Sequence, residues 1–91
     1  MLSGTDTDPR LKRLSLRSWR RGTKEMDLIL GPYSDARLAQ MEPGQLAAFE
    51  ALLEENDQDL YPWITGQQPG PEHHAALLRE IRAFHGIAAG N

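Results

Sequence analysis

The sequence predicts an all-α fold, a compact five-helix bundle, and three observations predict it. Nearly every apolar run repeats at three and four residues. No stretch of useful length alternates apolar with polar residues, as a half-buried strand would. Turn signals cut the chain into five helical pieces with short connections, which favours antiparallel neighbours.

The first helix is expected over about Pro9 to Arg20. Asp8 stands at the N-cap position and Pro9 at the first helical position, where a missing N–H costs nothing. Leu11 and Leu14 share a face, but Leu16 and Trp19 lie further round, so this helix should pack at an edge. Gly22 ends it, because glycine takes the left-handed C-terminal conformation without penalty. Thr23 caps the second helix, in which Met26, Ile29, Leu30 and Tyr33 form one stripe that Ala36 and Met41 extend. Gly31-Pro32 interrupts that run, and proline removes a backbone donor, so a kink or two shorter helices are expected.

Pro43 opens the third helix, "PGQLAAFEALLEEN", with Leu46, Phe49, Leu52 and Leu53 on its buried face. Asn56-Asp57 breaks it. Asp57 is expected to cap a short fourth helix that buries Leu60, Trp63 and Ile64 and stops at Gly66. "GQQPGP" reads as a loop. Pro71 then opens the fifth helix, with Leu77, Leu78, Ile81 and Phe84 on one face. The organisation is one domain over 9–86, between an N-terminal tail over 1–8 and a frayed C-terminus over 87–91.

Composition removes several function classes. There is no cysteine, which excludes thiol catalysis, disulfide scaffolds and zinc–thiolate sites. No apolar run approaches the length of a membrane span, so membrane insertion is not expected. The residues before the domain do not read as a presequence, so the bacterial cytoplasm is expected rather than the mitochondrial matrix. Charge is uneven. Residues 1–24 carry seven basic side chains against Asp6 and Asp8, a net of +5, and the remainder carries −8. A basic end on an acidic body suits an oriented contact with a polar partner.

Candidate sites are few. His73-His74 and His85 are the only histidines. Neighbours on an α-helix point about 100° apart, a poor metal geometry, so surface or rim histidines and no metal site are expected. Ser15, Ser18 and Ser34 lack a nucleophile elbow, and no phosphate loop or dinucleotide fingerprint is present. The chain is therefore not expected to be an enzyme. A DNA-binding helix–turn–helix that uses the basic first helix is the alternative. Its would-be recognition helix, however, opens with Glu25 and Asp27, which phosphates repel. The richest stretch is "SWRRGTKEMDLIL". Trp19 borders Arg20 and Arg21, a composition shared by binding hot spots and by helix-edge packing. Gly22 and Glu25 lie within about one turn of Arg21. Glu25 could pair with Arg21 or Arg20, or simply stabilise the start of the second helix.

Arg21-Gly22-Thr23-Lys24-Glu25 resembles the RGxxE signature of the succinate dehydrogenase assembly factor family. "FEALLEENDQDLYPWITG" resembles the family's LLExxDxDLxxWxxG segment, with Leu52, Leu53, Glu54, Asp57, Asp59, Leu60, Trp63 and Gly66 in register. The likeness runs from about Arg10 to Phe84. It departs at Met41-Glu42-Pro43, where a Ser, Thr or Asp cap is usual. The resemblance implies a five-helix bundle that binds the flavoprotein subunit of succinate dehydrogenase, and in some bacteria that of fumarate reductase. It further implies that the chain promotes covalent attachment of FAD to a histidine of that subunit. Free, the chain would be a monomer without a stably bound cofactor. Arg21, Gly22 and Glu25 map onto the motif. Arg20 and Trp19 join them as candidate partner-binding residues on their position alone.

Overall fold

The computed structural model describes residues 8–87; Met1–Thr7 and Ala88–Asn91, in the expected N-terminal tail and frayed C-terminus, lie outside them. Five helices follow in order: α1 Pro9–Trp19, α2 Lys24–Arg37, α3 Pro43–Leu53, α4 Asp57–Thr65 and α5 Ala75–His85. Single 3-10 turns precede α3, at Leu38–Gln40, and α5, at Glu72–His74. No strand occurs among the described residues, and no helix there is long and apolar enough to cross a membrane.

The caps show why the helices begin where they do. Asp8 accepts a hydrogen bond from the Arg10 N–H at 2.9 Å, and the Thr23 hydroxyl accepts one from the Met26 N–H at 3.3 Å. Glu42 takes the N-cap position of α3 and donates its own N–H to Gln45 Oε1 at 2.9 Å. A glutamate paired with a glutamine three residues on thus does the work of a Ser or Thr cap. Gly66 and Gly86 end α4 and α5 in the left-handed conformation.

Four expectations are corrected. First, α2 is one helix through Gly31-Pro32, so of the two outcomes expected there the pair of shorter helices does not occur. Second, α3 stops at Leu53 and not near Asn56: the bonds that follow tighten to i→i−3, and Arg21 donates to the carbonyls of Leu53 and Glu55. Third, Asn56 and not Asp57 is the N-cap residue of α4, and the Asp57 carboxylate is engaged elsewhere. Fourth, α5 proper begins at Ala75, four residues after Pro71, and a 3-10 turn fills the gap.

The core is one cluster. Leu14, Met26, Leu30, Tyr33, Leu38, Phe49, Leu52, Leu53, Leu60, Ile64, Leu78 and Ile81 are all buried. Trp63, expected inside, is partly buried against this cluster, and Leu11 packs at the edge as the uneven stripe of α1 predicts. Tyr33 is its centre, with ring centroids 5.8 Å from Phe49 and 5.5 Å from Phe84, the latter edge-on. Its hydroxyl is buried without a partner in hydrogen-bond geometry. Burial, with the nearby Glu80 carboxylate, pushes the Tyr33 pKa up. The folded state therefore holds this proton more tightly than the unfolded chain. The stability it contributes is complete below the unfolded tyrosine value of about 10 and is lost as pH rises beyond it. Tyr33→Phe should be nearly neutral at pH 7, since it deletes an unpaired buried group. It should also flatten the fall in urea stability above about pH 10. An unchanged alkaline slope in the variant would refute this assignment.

Candidate docking corner between the first two helices

The link between α1 and α2, Arg20 to Thr23, lies against the link between α3 and α4, Glu54 to Asn56. Arg21 joins them. Its Nε donates to Asp57 Oδ1 at 2.8 Å, and its two terminal nitrogens donate to the carbonyls of Leu53 and Glu55 at 2.7 Å each. The backbone N–H of Arg21 donates to Asp27 Oδ1 at 2.6 Å. Only 9% of the Arg21 side chain remains exposed, and 19% of Asp57. A planar guanidinium fits this task because its forked donors reach a helix end and a carboxylate together. Arg21 thus pairs with Asp57, across 36 residues, and not with Glu25 four residues on.

Gly22 follows with φ at +106°, a conformation that L side chains rarely adopt. The space where its Cβ would stand is open to 4 Å. The glycine is therefore required by the backbone, and what surrounds it is solvent. Arg20 is exposed, and so is Glu25, in the first turn of α2, where its charge complements the helix dipole.

Two shallow grooves flank this corner and share Asp57. One, of about 370 Å³, is polar and is lined by Arg17, Arg20, Arg21, Glu54, Glu55 and Asp57 among others. The other, of about 320 Å³, is lined by Thr23, Glu25, Met26, Asp57, Gln58 and Tyr61. Sequence reasoning missed Tyr61 and Gln58. The only signal was that they stand on the outward side of α4, beside the inward Leu60 and Ile64.

Trp19 lines neither groove. Its ring lies flat on α2 at Gly31, where a Cβ would overlap the ring. Its Nε1 donates to the Asp35 carboxylate at 3.3 Å, and 37% of the residue stays exposed. Gly31 is thus the seat of an indole rather than a break in the helix. Two effects compete in Gly31→Ala. Helix propensity gains about 1 kcal/mol, and displacing the ring costs about 1–3 kcal/mol. Net destabilisation is expected, with a red shift of tryptophan emission as Trp19 leaves its seat. A variant more stable than the parent, with unshifted emission, would show that the seat contributes little.

Half of the basic charge of α1 is paired inside the molecule. Arg10 pairs with Glu50 at 3.0 Å and Arg17 with Glu54 at 2.8 Å, as Arg21 does with Asp57. The first two pairs are substantially exposed and are worth well under about 1 kcal/mol each. They still direct two arginines toward α3. Exposed Lys12, Arg13, Arg20 and Lys24 have no ion-pair partner among the described residues.

Of the histidines expected at the surface or rim, His73 is exposed and His85 half-buried, and only His74 departs. His74 is buried, 3% exposed, and its Nε2 lies 2.9 Å from Glu55 Oε2. His73 and His74 sit on a 3-10 turn, not on an α-helix, and their ring centroids are 4.1 Å apart. His85 Nε2 meets the Ile29 carbonyl at 2.6 Å.

The class of protein this defines is a small all-helical domain whose first inter-helix link exposes a left-handed glycine next to an arginine anchored on Asp57 and the end of α3. The chain belongs to the family described as flavinator of succinate dehydrogenase, whose model matches residues 12–85. It is 42% identical over 67 residues to the mitochondrial succinate dehydrogenase assembly factor 2 of Aspergillus terreus, a match that covers 74% of this chain and 23% of that protein. It is 38% identical over 87 residues to the protein of that name from Kluyveromyces lactis, covering 90% of this chain and 53% of the relative. It is 36% identical over 73 residues to the FAD assembly factor SdhE of Acetobacter pasteurianus, covering 79% and 67%. The chain thus spans about a quarter of the first of these relatives and about half of the second.

Proposed function

We propose that this chain binds the flavoprotein subunit of succinate dehydrogenase, and that of fumarate reductase where one is present, and promotes covalent attachment of FAD. Membership of the family supports the general role. The observation that carries the docking site is Gly22, whose exposed backbone adjoins a groove edged by Glu25 and Tyr61. A partner segment can approach the main chain there closely, and Glu25 and Arg20 meet its polar groups. Arg21 positions this surface from beneath. Trp19 is assigned to the packing of α1 on α2.

The bond-forming step belongs to the flavin and to the partner's histidine, because the cofactor carries the hard chemistry and a helper need only fix geometry. No reacting group of this chain is invoked, and no FAD is held stably by the chain alone. The free chain is proposed to be a monomer of the bacterial cytoplasm. The DNA-binding alternative is disfavoured by the arginines that α1 turns toward α3 and by Glu25 and Asp27 at the start of α2.

The deciding experiment mixes purified apo-flavoprotein subunit with FAD, with and without this chain. A stable complex on size exclusion and a several-fold rise in covalent flavin, read by in-gel fluorescence, are expected. No complex and no rise would refute the proposal. A low-salt mobility shift with duplex DNA is expected to be negative.

A further inference from the structure

We propose that Glu55, His73 and His74 form a binding site for a divalent transition-metal cation, specifically Zn²⁺, at the junction of α3 with the turn before α5. The three side chains each offer one ligand atom, and these atoms lie within 4.8 Å of one another. Two imidazoles and a carboxylate are a zinc donor set, three protein ligands that leave a fourth position for water. Imidazole donors also discriminate against Mg²⁺ and Ca²⁺, which take oxygen ligands.

An α-helical spacing would have sent the two imidazoles apart. A regular 3-10 turn would part them by about 120°, but where this turn meets α5 the His74 backbone is irregular, with φ −104° and ψ −2°, and the ring centroids lie 4.1 Å apart. Two of the three ligands are already held. His74 is buried, with the Trp63 ring 6.1 Å away, and Glu55 meets it at 2.9 Å. His73 is exposed and has no hydrogen-bond partner among the described residues. A cation would replace the Glu55–His74 hydrogen bond and would need to order only the His73 side chain, so little conformational entropy opposes binding.

The site has a structural consequence. The Glu55 main-chain carbonyl accepts a hydrogen bond from Arg21. A cation on the Glu55 side chain therefore anchors the segment that Arg21 grips from the other side. Binding to the folded state alone raises stability by mass action.

The test uses the full untagged chain, stripped with chelator and titrated with ZnCl₂ in a calorimeter, with thermal melts in parallel. One Zn²⁺ per chain and a raised melting midpoint are expected, with no response to MgCl₂. His73→Ala and Glu55→Gln should each weaken Zn²⁺ binding by more than about tenfold, at least what outer partners of metal ligands contribute. His73→Ala changes an exposed residue and should keep the parent's far-ultraviolet circular dichroism. His85→Ala should bind as the parent does. Absence of saturable Zn²⁺ binding, or an affinity unchanged by His73→Ala, overturns the proposal. So does loss of binding in His85→Ala alone.

Discussion

Arg21→Ala should destabilise the fold by about 3–5 kcal/mol, the cost of stranding one partner of a largely buried ion pair. Three side-chain hydrogen bonds disappear together, two of them to the carbonyls of Leu53 and Glu55 at the end of α3. Those carbonyls lose their donor, and Asp57 keeps a charge with 19% of its side chain exposed. A small domain holds about 5–15 kcal/mol in all, so this single change removes much of the margin. Arg21→Lys should recover part of the loss, because an ammonium reaches the carboxylate but cannot fork across to both carbonyls. Urea unfolding monitored by circular dichroism gives the numbers. A loss below about 1 kcal/mol for Arg21→Ala would mean that the pair behaves like an exposed one. If the full loss is found, reduced flavin attachment by an Arg21 variant reports damaged scaffolding and not a lost partner contact.

Gly22→Arg should abolish docking on the flavoprotein subunit, whereas Gly22→Ala should weaken it much less. Both variants force an L residue to φ near +106°, and that strain costs about 1–3 kcal/mol in either case. Their stabilities should therefore be similar. They differ in what stands outside: alanine adds one carbon in open space, and arginine fills the approach to the main chain. Measuring binding at a temperature where both variants are folded separates strain from obstruction. Equal binding by Gly22→Arg and Gly22→Ala would rule out close approach as the reason for the glycine. Glu25→Ala then divides docking from chemistry. Loss of binding together with flavin attachment supports docking, and loss of attachment alone places Glu25 in the chemistry.

The five helices and most of their buried faces were legible because apolar spacing and cap residues act locally. Thr23, Pro43 and Gly66 mark boundaries through their own backbone preferences. The site was legible only as a patch of sequence. Arg21-Gly22 reads the same whether the guanidinium points out to a partner or in toward a helix end 32 residues away. Its choice depends on the carbonyls at the end of α3, and these exist only after α1 and α3 have packed. Gly31 misled for a related reason. Beside Pro32 it looked like a helix break, yet its missing side chain makes room for Trp19, a contact between helices. His74 was expected at the surface or rim, and its burial depends on Glu55 and Trp63, which only the folded chain brings to it. Tyr61 carried no motif at all.

The arginines of α1 that reach across to α3 also bear on how fast a partner is found. Each of these pairs is a short dipole rather than a free charge, and its field decays within a few ångströms of the surface. The molecule as a whole is slightly acidic, with a formal charge of −3. Long-range attraction, which is screened over about 8 Å at physiological salt, therefore adds little to the rate of collision with a partner. If docking is on the Gly22 backbone as proposed, encounter should proceed by ordinary diffusion, with selection left to the lifetime of the contact.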